Sequence, residues 1–396
     1  MKKILISCLS LWAACGSEAQ YVPEPEPVSM GEITVGAFCC PLWYEKNRPD
    51  CWEFIKPFPE RTPVLGYYNE TYPEVVDWEI KYALDHGISF FWGCWWRAKG
   101  NAGSSEVKGV LDEWYHEGFF KSRYQDRMKF AILWENTNDV GSSITSEADL
   151  TDNLMPYLIQ TFLSRPNYMK VEGKPLMMIY GFSRFISDLG GREQARQAIA
   201  KMKQICEEAG LGGLYLTAEH HEHFDTDLSW LYGMGFDAIG SYHWPSFSGL
   251  MQEGETLDGD PLIALQQQCW KELDRVANGQ PTILTASMGW DSAPWNYSFY
   301  KGQWQLTPAE FKTLCQKIKA HALSATPSPV SRIVMLDNWN EFGEGHYIFP
   351  TTGSSFGYLD AVRDAFADAP GDHTDVIPAD LGLGPYDYEH TKTKNK

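Results

Sequence analysis

Eight short apolar runs, a longer amphipathic segment after most of them, and no glycine-rich turn after the first predict an α/β fold, a single (β/α)8 (TIM) barrel with long loops at the C-terminal face of its strands. The runs are ITVGAFCC (33–40), ISFFWGCWW (88–96), KFAILWE (129–135), PLMMIYGF (175–182), GLYLTAE (213–219), AIGSYHW (238–244), PTILTASMGW (281–290) and RIVMLDNWNE (332–341). Each is continuous rather than alternating, as strands buried on both faces of a parallel sheet are. Between them, YPEVVDWEIKYALDHG (72–87) has Pro near its start and closes on Gly. REQARQAIAKMKQICEEAG (192–210) is amphipathic and again ends in Gly. TPAEFKTLCQKIKAHAL (307–323) opens with Thr307 as N-cap, Pro308 in the first helical position and Glu310 three residues on. SFGYLDAVRDAF (355–366) follows the eighth run. A doubly wound sheet would share the alternation but would open on a glycine-rich phosphate turn, and AFCCPLWYEK is nothing like one.

The barrel is expected over residues 33–370, within the size of one large domain. Ahead of it, YVPEPEPVSMGE (21–32) reads as an extended, solvated Pro/Glu tether, and residues 371–396 read as a polar tail on the surface. Residues 1–20 read as an export signal: Lys2 and Lys3 form the positive region, and Ile4 to Ala14 an apolar region too short to anchor. Two cleavage readings compete, LWAAC as a bacterial lipobox with Cys15 lipidated and SEA before Gln20 as an ordinary site, and the lipobox is preferred. The expected location is therefore the periplasm or the outer-membrane or cell surface of a bacterium, with membrane contact only through Cys15.

The net charge of −19 argues against a phosphate-binding surface, so no nucleic-acid partner is expected. Seven cysteines follow Cys15, an odd number at irregular spacing, which is no disulfide framework. Cys94, Cys206, Cys269 and Cys315 lie in apolar or helical patterns and read as core residues. There is no CxxC or HExxH pattern, and His220, His221 and His223 of EHHEH read as strand-end loop residues, so neither metal nor cofactor is expected.

In barrel enzymes the working groups stand where strands end. Here the first strand ends in Trp43 and Tyr44, the second in Trp95, Trp96 and Arg97, the third in Glu135 and Asn136, and the fourth in Tyr180. The fifth ends in Glu219 and His220, the sixth in Tyr242, His243 and Trp244, and the seventh in Trp290 and Asp291. The eighth delivers Trp339, Asn340 and Glu341 and, past a turn, Glu344. Aromatic rings beside acidic and hydrogen-bonding groups suit an uncharged polyol, an oligosaccharide or polysaccharide whose C–H faces stack on rings while hydroxyls bind polar side chains. A close carboxylate pair suits acid–base work at a glycosidic bond.

The segment DNWNEFGEG (337–345) resembles the WNEW-x-EG signature of the family ninety-nine glycoside hydrolases, the endo-α-mannosidase group, and the broader WbsX-like set. VDWEIKYALDHGISFFWGCWW, YMKVEGKPLMMIYG, MGWDSAPW and YLDAV resemble other parts of the same pattern, which spans most of residues 33–367. The resemblance implies a glycoside hydrolase that cleaves an α-linked, perhaps mannose-containing glycan with retention. It implies Glu341 as the base on the substrate's 2-hydroxyl, giving a 1,2-anhydro sugar, and Glu344 as the general acid. Phe342 stands where the family has its second Trp, and Gly343 where it has His. The other readings are a retaining glycosidase with a covalent carboxylate nucleophile, a glycosyl-transfer role in polysaccharide assembly, and a glycan-binding lipoprotein without catalysis.

Overall fold

A computed structural model describes residues 21–44, 51–137, 141–220, 226–244, 250, 256–295 and 303–387. Its centre is eight strands: β1 (Thr34–Cys39), β2 (Ile88–Ala98), β3 (Lys129–Trp134), β4 (Lys174–Ile179), β5 (Tyr215–Glu219), β6 (Ala238–Gly240), β7 (Thr282–Ser287) and β8 (Ile333–Asp337). Each pairs in parallel with the next, and β1 pairs with β8 as well as with β2, which closes the barrel. All eight fall within or against the apolar runs. The reason is physical, because a closed barrel wrapped by helices buries both faces of every strand and leaves no position for polar alternation.

The helices sit outside. Pro73–Asp85 crosses from β1 to β2 and begins at proline, where the missing N–H has no helical partner to lose. Arg192–Glu208 follows β4, Gly259–Val276 follows β6, Pro308–Ser324 follows β7 and Gly357–Phe366 follows β8. The Pro308–Ser324 helix carries the expected cap: Thr307 accepts from the Glu310 N–H, and Glu310 accepts from the Thr307 N–H in return. The β3-to-β4 connection is a helix with wide π turns at Asp149–Leu154 and Ile159–Leu163 around Met155–Leu158. A small separate sheet of Thr256–Leu257, Gln303–Gln305 and Gly289–Trp290 stands beyond the end of β7.

Two segments depart from expectation. Residues 21–32 are not a free tether, because Val22 and Met30 are buried. The Tyr21 hydroxyl donates to Asp77, the Glu26 N–H to Asp85, and Val22 O accepts from Tyr124. Residues 371–387 lie largely on the surface, but docked rather than loose. Tyr386 is 1% exposed and accepts from Trp78 Nε1 at 3.1 Å, while Val376 O accepts from Tyr82. Both segments are strung with polar residues, but their sparse apolar side chains and backbone groups find partners on the outer face of helix Pro73–Asp85. Cys15 and the expected export signal lie outside the described residues. Among the described residues, no helix is long and apolar enough to cross a membrane.

Candidate active site

The site is built on the excursion that follows β8. After Asp337 the chain leaves the barrel, with Trp339 N–H donating to Phe38 O at 2.7 Å, and returns at Ile348 and Phe349, whose N–H groups donate to Asn338 O and Trp339 O. Between these points Glu341 and His346 pair across a tight turn in which Glu344 N–H donates to Glu341 O at 3.1 Å. Gly345 sits at φ +74, and a Cβ there would stand 2.6 Å from the Asp291 nitrogen. That close approach lets Asp291 N–H donate to Glu344 O at 2.7 Å, locking the turn to the loop after β7. Gly343 serves differently, since a side chain there would run into the Trp295 indole, 1.9 Å from its Cβ position. Phe342 is fully buried against Trp43, Trp52 and Tyr347, so its ring faces the packing under the turn.

An oxygen of Glu341, an oxygen of Glu344 and a ring nitrogen of His346 lie within 4.8 Å of one another. Glu341 is buried, and its Oε1 accepts from the Tyr242 hydroxyl at 3.3 Å. Its Oε2 is also buried and accepts no hydrogen bond among the described residues. Burial, and then the charge of Glu344, push the Glu341 carboxyl up to about 7, against the opposing pull of His346. Tyr242 is itself aligned by Asn338 Nδ2, which donates to its hydroxyl at 2.7 Å, and by Glu219, which accepts from its N–H at 2.9 Å. Burial holds the Tyr242 phenol well above its ordinary value, so it stays a donor.

Behind Glu344 stands a relay that sequence reading missed. His346 Nε2 lies 3.0 Å from Glu344 Oε2, and His346 Nδ1 lies 2.5 Å from Asp337 Oδ1. Burial pulls the imidazole down, but Asp337 and Glu344 together outweigh it and raise it to about 10. His346 thus holds its proton more firmly than a free imidazole, with each ring nitrogen facing a carboxylate. Asp337 is anchored from the other side by the Ser287 hydroxyl at 2.6 Å, and burial raises its carboxyl despite His346. The sequence signal was a histidine two residues past Glu344, on the same turn. Arg61 was also missed. It donates to Phe342 O and Asp291 O and pairs with Asp291 Oδ2 at 2.5 Å, tying a distant loop to the turn.

The structure gathers some of the expected residues here and sends others elsewhere. Tyr242, His243 and Trp290 surround the pair: the His346 ring centre is 5.4 Å from that of His243 and 5.0 Å from that of Trp290. Tyr180 packs edge-on to Tyr242 at 6.0 Å. Further along the rim, Trp96 Nε1 donates to Glu135 at 2.8 Å, and Glu135 also accepts from Thr137. Asn136 clamps both backbone groups of Gly181, and His220 is held through its backbone beside Gly240 and Ser241. Five residues do not reach the site. Trp43 is fully buried in an aromatic stack, with its N–H and its indole held by Glu70 and Asn340 O. Asn340 joins β1 to β8 by accepting from Cys40 and donating to Glu70. Trp339 packs on Phe91 and Phe349, Tyr44 binds Glu113, and Trp95 faces outward onto Tyr157 and Phe162. In each case a strand-end position was right while the side chain turned to the wall. His221 and His223 lie outside the described residues. A cleft of about 670 Å³, walled by Trp304, Tyr347, Tyr358 and Gln303 among others, adjoins the site through Trp290 and Asp291 without including the glutamates.

A family model described as glycosyltransferase WbsX matches residues 58–362. The protein WxcX of Xanthomonas campestris pv. campestris is 21% identical over 391 residues, covering 90% of this chain and 50% of its own, so the chain spans about half the length of the curated relatives it matches. The solved family ninety-nine endo-α-mannosidase of Bacteroides thetaiotaomicron is 16% identical and superposes with a TM-score of 0.54 over 85% of this chain and 96% of its own. A solved glycoside hydrolase-like protein gives a TM-score of 0.57 at 16% identity, over 88% of this chain and 99% of its own. The fold is therefore that of glycoside hydrolase-like (β/α)8 barrels.

Proposed function

The chain belongs to the WbsX family, and we propose that it is a retaining glycoside hydrolase acting on an α-linked glycan. One observation carries the reading: Glu341 and Glu344 present oxygens within 4.8 Å, at the end of a barrel strand, with an imidazolium behind one of them. Burial and the neighbouring charge of Glu344 raise the Glu341 carboxyl to about 7, which places its proton exchange near neutral pH.

In this reading Glu341 takes the proton of the substrate's 2-hydroxyl as that oxygen attacks the anomeric carbon, while Glu344 protonates the departing oxygen. A water then opens the 1,2-anhydro sugar, giving its proton to Glu344 as Glu341 returns one to the 2-oxygen, and two inversions leave retention. A base is most effective with its pKa near the working pH, which suits a carboxyl raised to about 7. His346, paired to Asp337, holds a proton beside Glu344 throughout.

The full chain, incubated with α-mannans and other bacterial, fungal and plant polysaccharides, should release reducing sugar of retained configuration. Glu341→Gln and Glu344→Gln should each lower the rate by about 10²–10⁴-fold. The family's description favours a second reading, glycosyl transfer, which consumption of a nucleotide-sugar donor would reveal. We read residues 1–20 as an export signal with Cys15 as the lipid-bearing residue, which separates the site from cytoplasmic nucleotide sugars. Mass spectrometry of the membrane fraction tests that placement.

A further inference from the structure

The described residues hold a second cluster of histidine and carboxylate groups, on the outer wall of the barrel and apart from the proposed active site. His86, just after helix Pro73–Asp85, is fully buried. Its Nδ1 lies 2.7 Å from Tyr82 O, and a carbonyl can only accept, so Nδ1 carries the hydrogen. Nε2 is left facing a small group of ligand-type atoms. Asp375 Oδ1 is 3.2 Å from it and Asp360 Oδ1 is 3.6 Å from it. His373 Nε2 lies 3.1 Å from the same Asp375 oxygen, and the two imidazole rings stand nearly perpendicular at 5.1 Å. Yet Nε2 of His86 is buried and makes no hydrogen bond of proper geometry among the described residues.

We propose that His86, His373 and Asp375 form a binding site for a divalent cation of the zinc class, which fastens the C-terminal segment to the barrel. Two arguments carry this. A tetrahedral shell of N and O ligands about 2.0–2.1 Å from zinc places neighbouring ligand atoms about 3.3 Å apart, close to the separations of 3.1 and 3.2 Å found here. The second is the backbone hydrogen bond on Nδ1, the usual outer-shell support that turns the other ring nitrogen into a ligand. The set is two imidazoles and one carboxylate drawn from two parts of the chain: the end of the first helix and the segment after the last. An ion there would join the two, and its binding energy would add to folding stability.

The test uses the full chain after chelator treatment and dialysis, titrated with Zn²⁺ by calorimetry and with Co²⁺ as a visible-absorption probe. The expected result is one saturable Zn²⁺ per chain, a tetrahedral Co²⁺ spectrum and a higher Tm in Zn²⁺ by mass action. His373→Ala and Asp375→Asn, both in a segment the barrel does not need for closure, should each weaken binding by more than about tenfold. Glu344→Gln should leave it unchanged. No saturable uptake, uptake that survives both substitutions, or uptake lost with Glu344→Gln each overturns the proposal. The first two would leave the cluster as an imidazolium between carboxylates.

Discussion

A carboxylate that is buried with only the Tyr242 hydroxyl and the Cys40 thiol beside it is held in a state that burial disfavours, and Glu341 is in that state. Its folded carboxyl rises from 4.5 to about 7, so the folded protein holds that proton more tightly than the unfolded chain does. Stability from this group is therefore undiminished below the unfolded value, falls as pH rises through the interval and stays reduced above about 7. Glu341→Gln removes the penalty. It should stabilise the protein at pH 8 by up to about 3 kcal/mol and by almost nothing at pH 4, in urea unfolding at the two pH values. An equal effect at both would mean that Glu341 is not held in this way. On whichever glycan the protein cleaves, kcat/KM should climb with pH through about 7 as Glu341 ionises. The charge of His346 pulls the Glu341 carboxyl down, so His346→Gln should move that rising limb to higher pH. A limb that stays put or moves lower would remove His346 from the electrostatics of the pair.

The loops around the site depend on a small number of buried ties between elements. Arg97, at the end of β2, is fully buried and forks onto Asp149 at 2.8 and 3.0 Å. Asp149 also accepts from the N–H groups of Gly103 and Thr145, so one carboxylate organises two rim loops. Burial alone would raise it, but Arg97 and these donors outweigh burial and hold it down at about 2. Its contribution is present above the unfolded value and is lost as pH falls toward 2. Asp149→Ala leaves a buried guanidinium unpaired and should cost about 3–5 kcal/mol in a urea melt at neutral pH. This tie was not legible in the sequence, because Arg97 and Asp149 are 52 positions apart and no periodicity links them. The strands were legible because full burial writes itself as unbroken apolar runs. The π-turned helix Asp149–Leu163 and the small sheet beyond β7 were not, the one for its irregular period and the other for its two- and three-residue strands. Glu341, Glu344, Tyr242, His243 and Trp290 could be found by position, since strand ends face the mouth of a barrel. Trp43, Trp95, Trp339 and Asn340 occupy the same kind of position and face the wall, and only the path of the backbone decides between those outcomes.

At the scale of the whole molecule, the barrel is bound by chain from both ends. The segments 21–32 and 371–387 lie on the same outer helix, Pro73–Asp85, one reaching Asp77 and Asp85 and the other Trp78 and Tyr82. Composition hid this, because a few anchors among prolines and acidic residues are enough to dock a strap when the surface beneath supplies matching groups. Tyr386 is the deepest of those anchors, 1% exposed, with its oxygen accepting from Trp78 and its hydroxyl donating to Glu74. If the C-terminal strap belongs to the cooperative unit, Tyr386→Ala should cost about 3 kcal/mol, the range for deleting a buried aromatic side chain. Tyr386→Phe, which keeps the ring and loses only the hydroxyl, should cost about 1 kcal/mol. Both should lower the urea midpoint in a single transition, with tryptophan fluorescence and far-UV circular dichroism falling together. Two separated transitions, or a midpoint untouched by Tyr386→Ala, would mean that the strap opens on its own while the barrel stays folded.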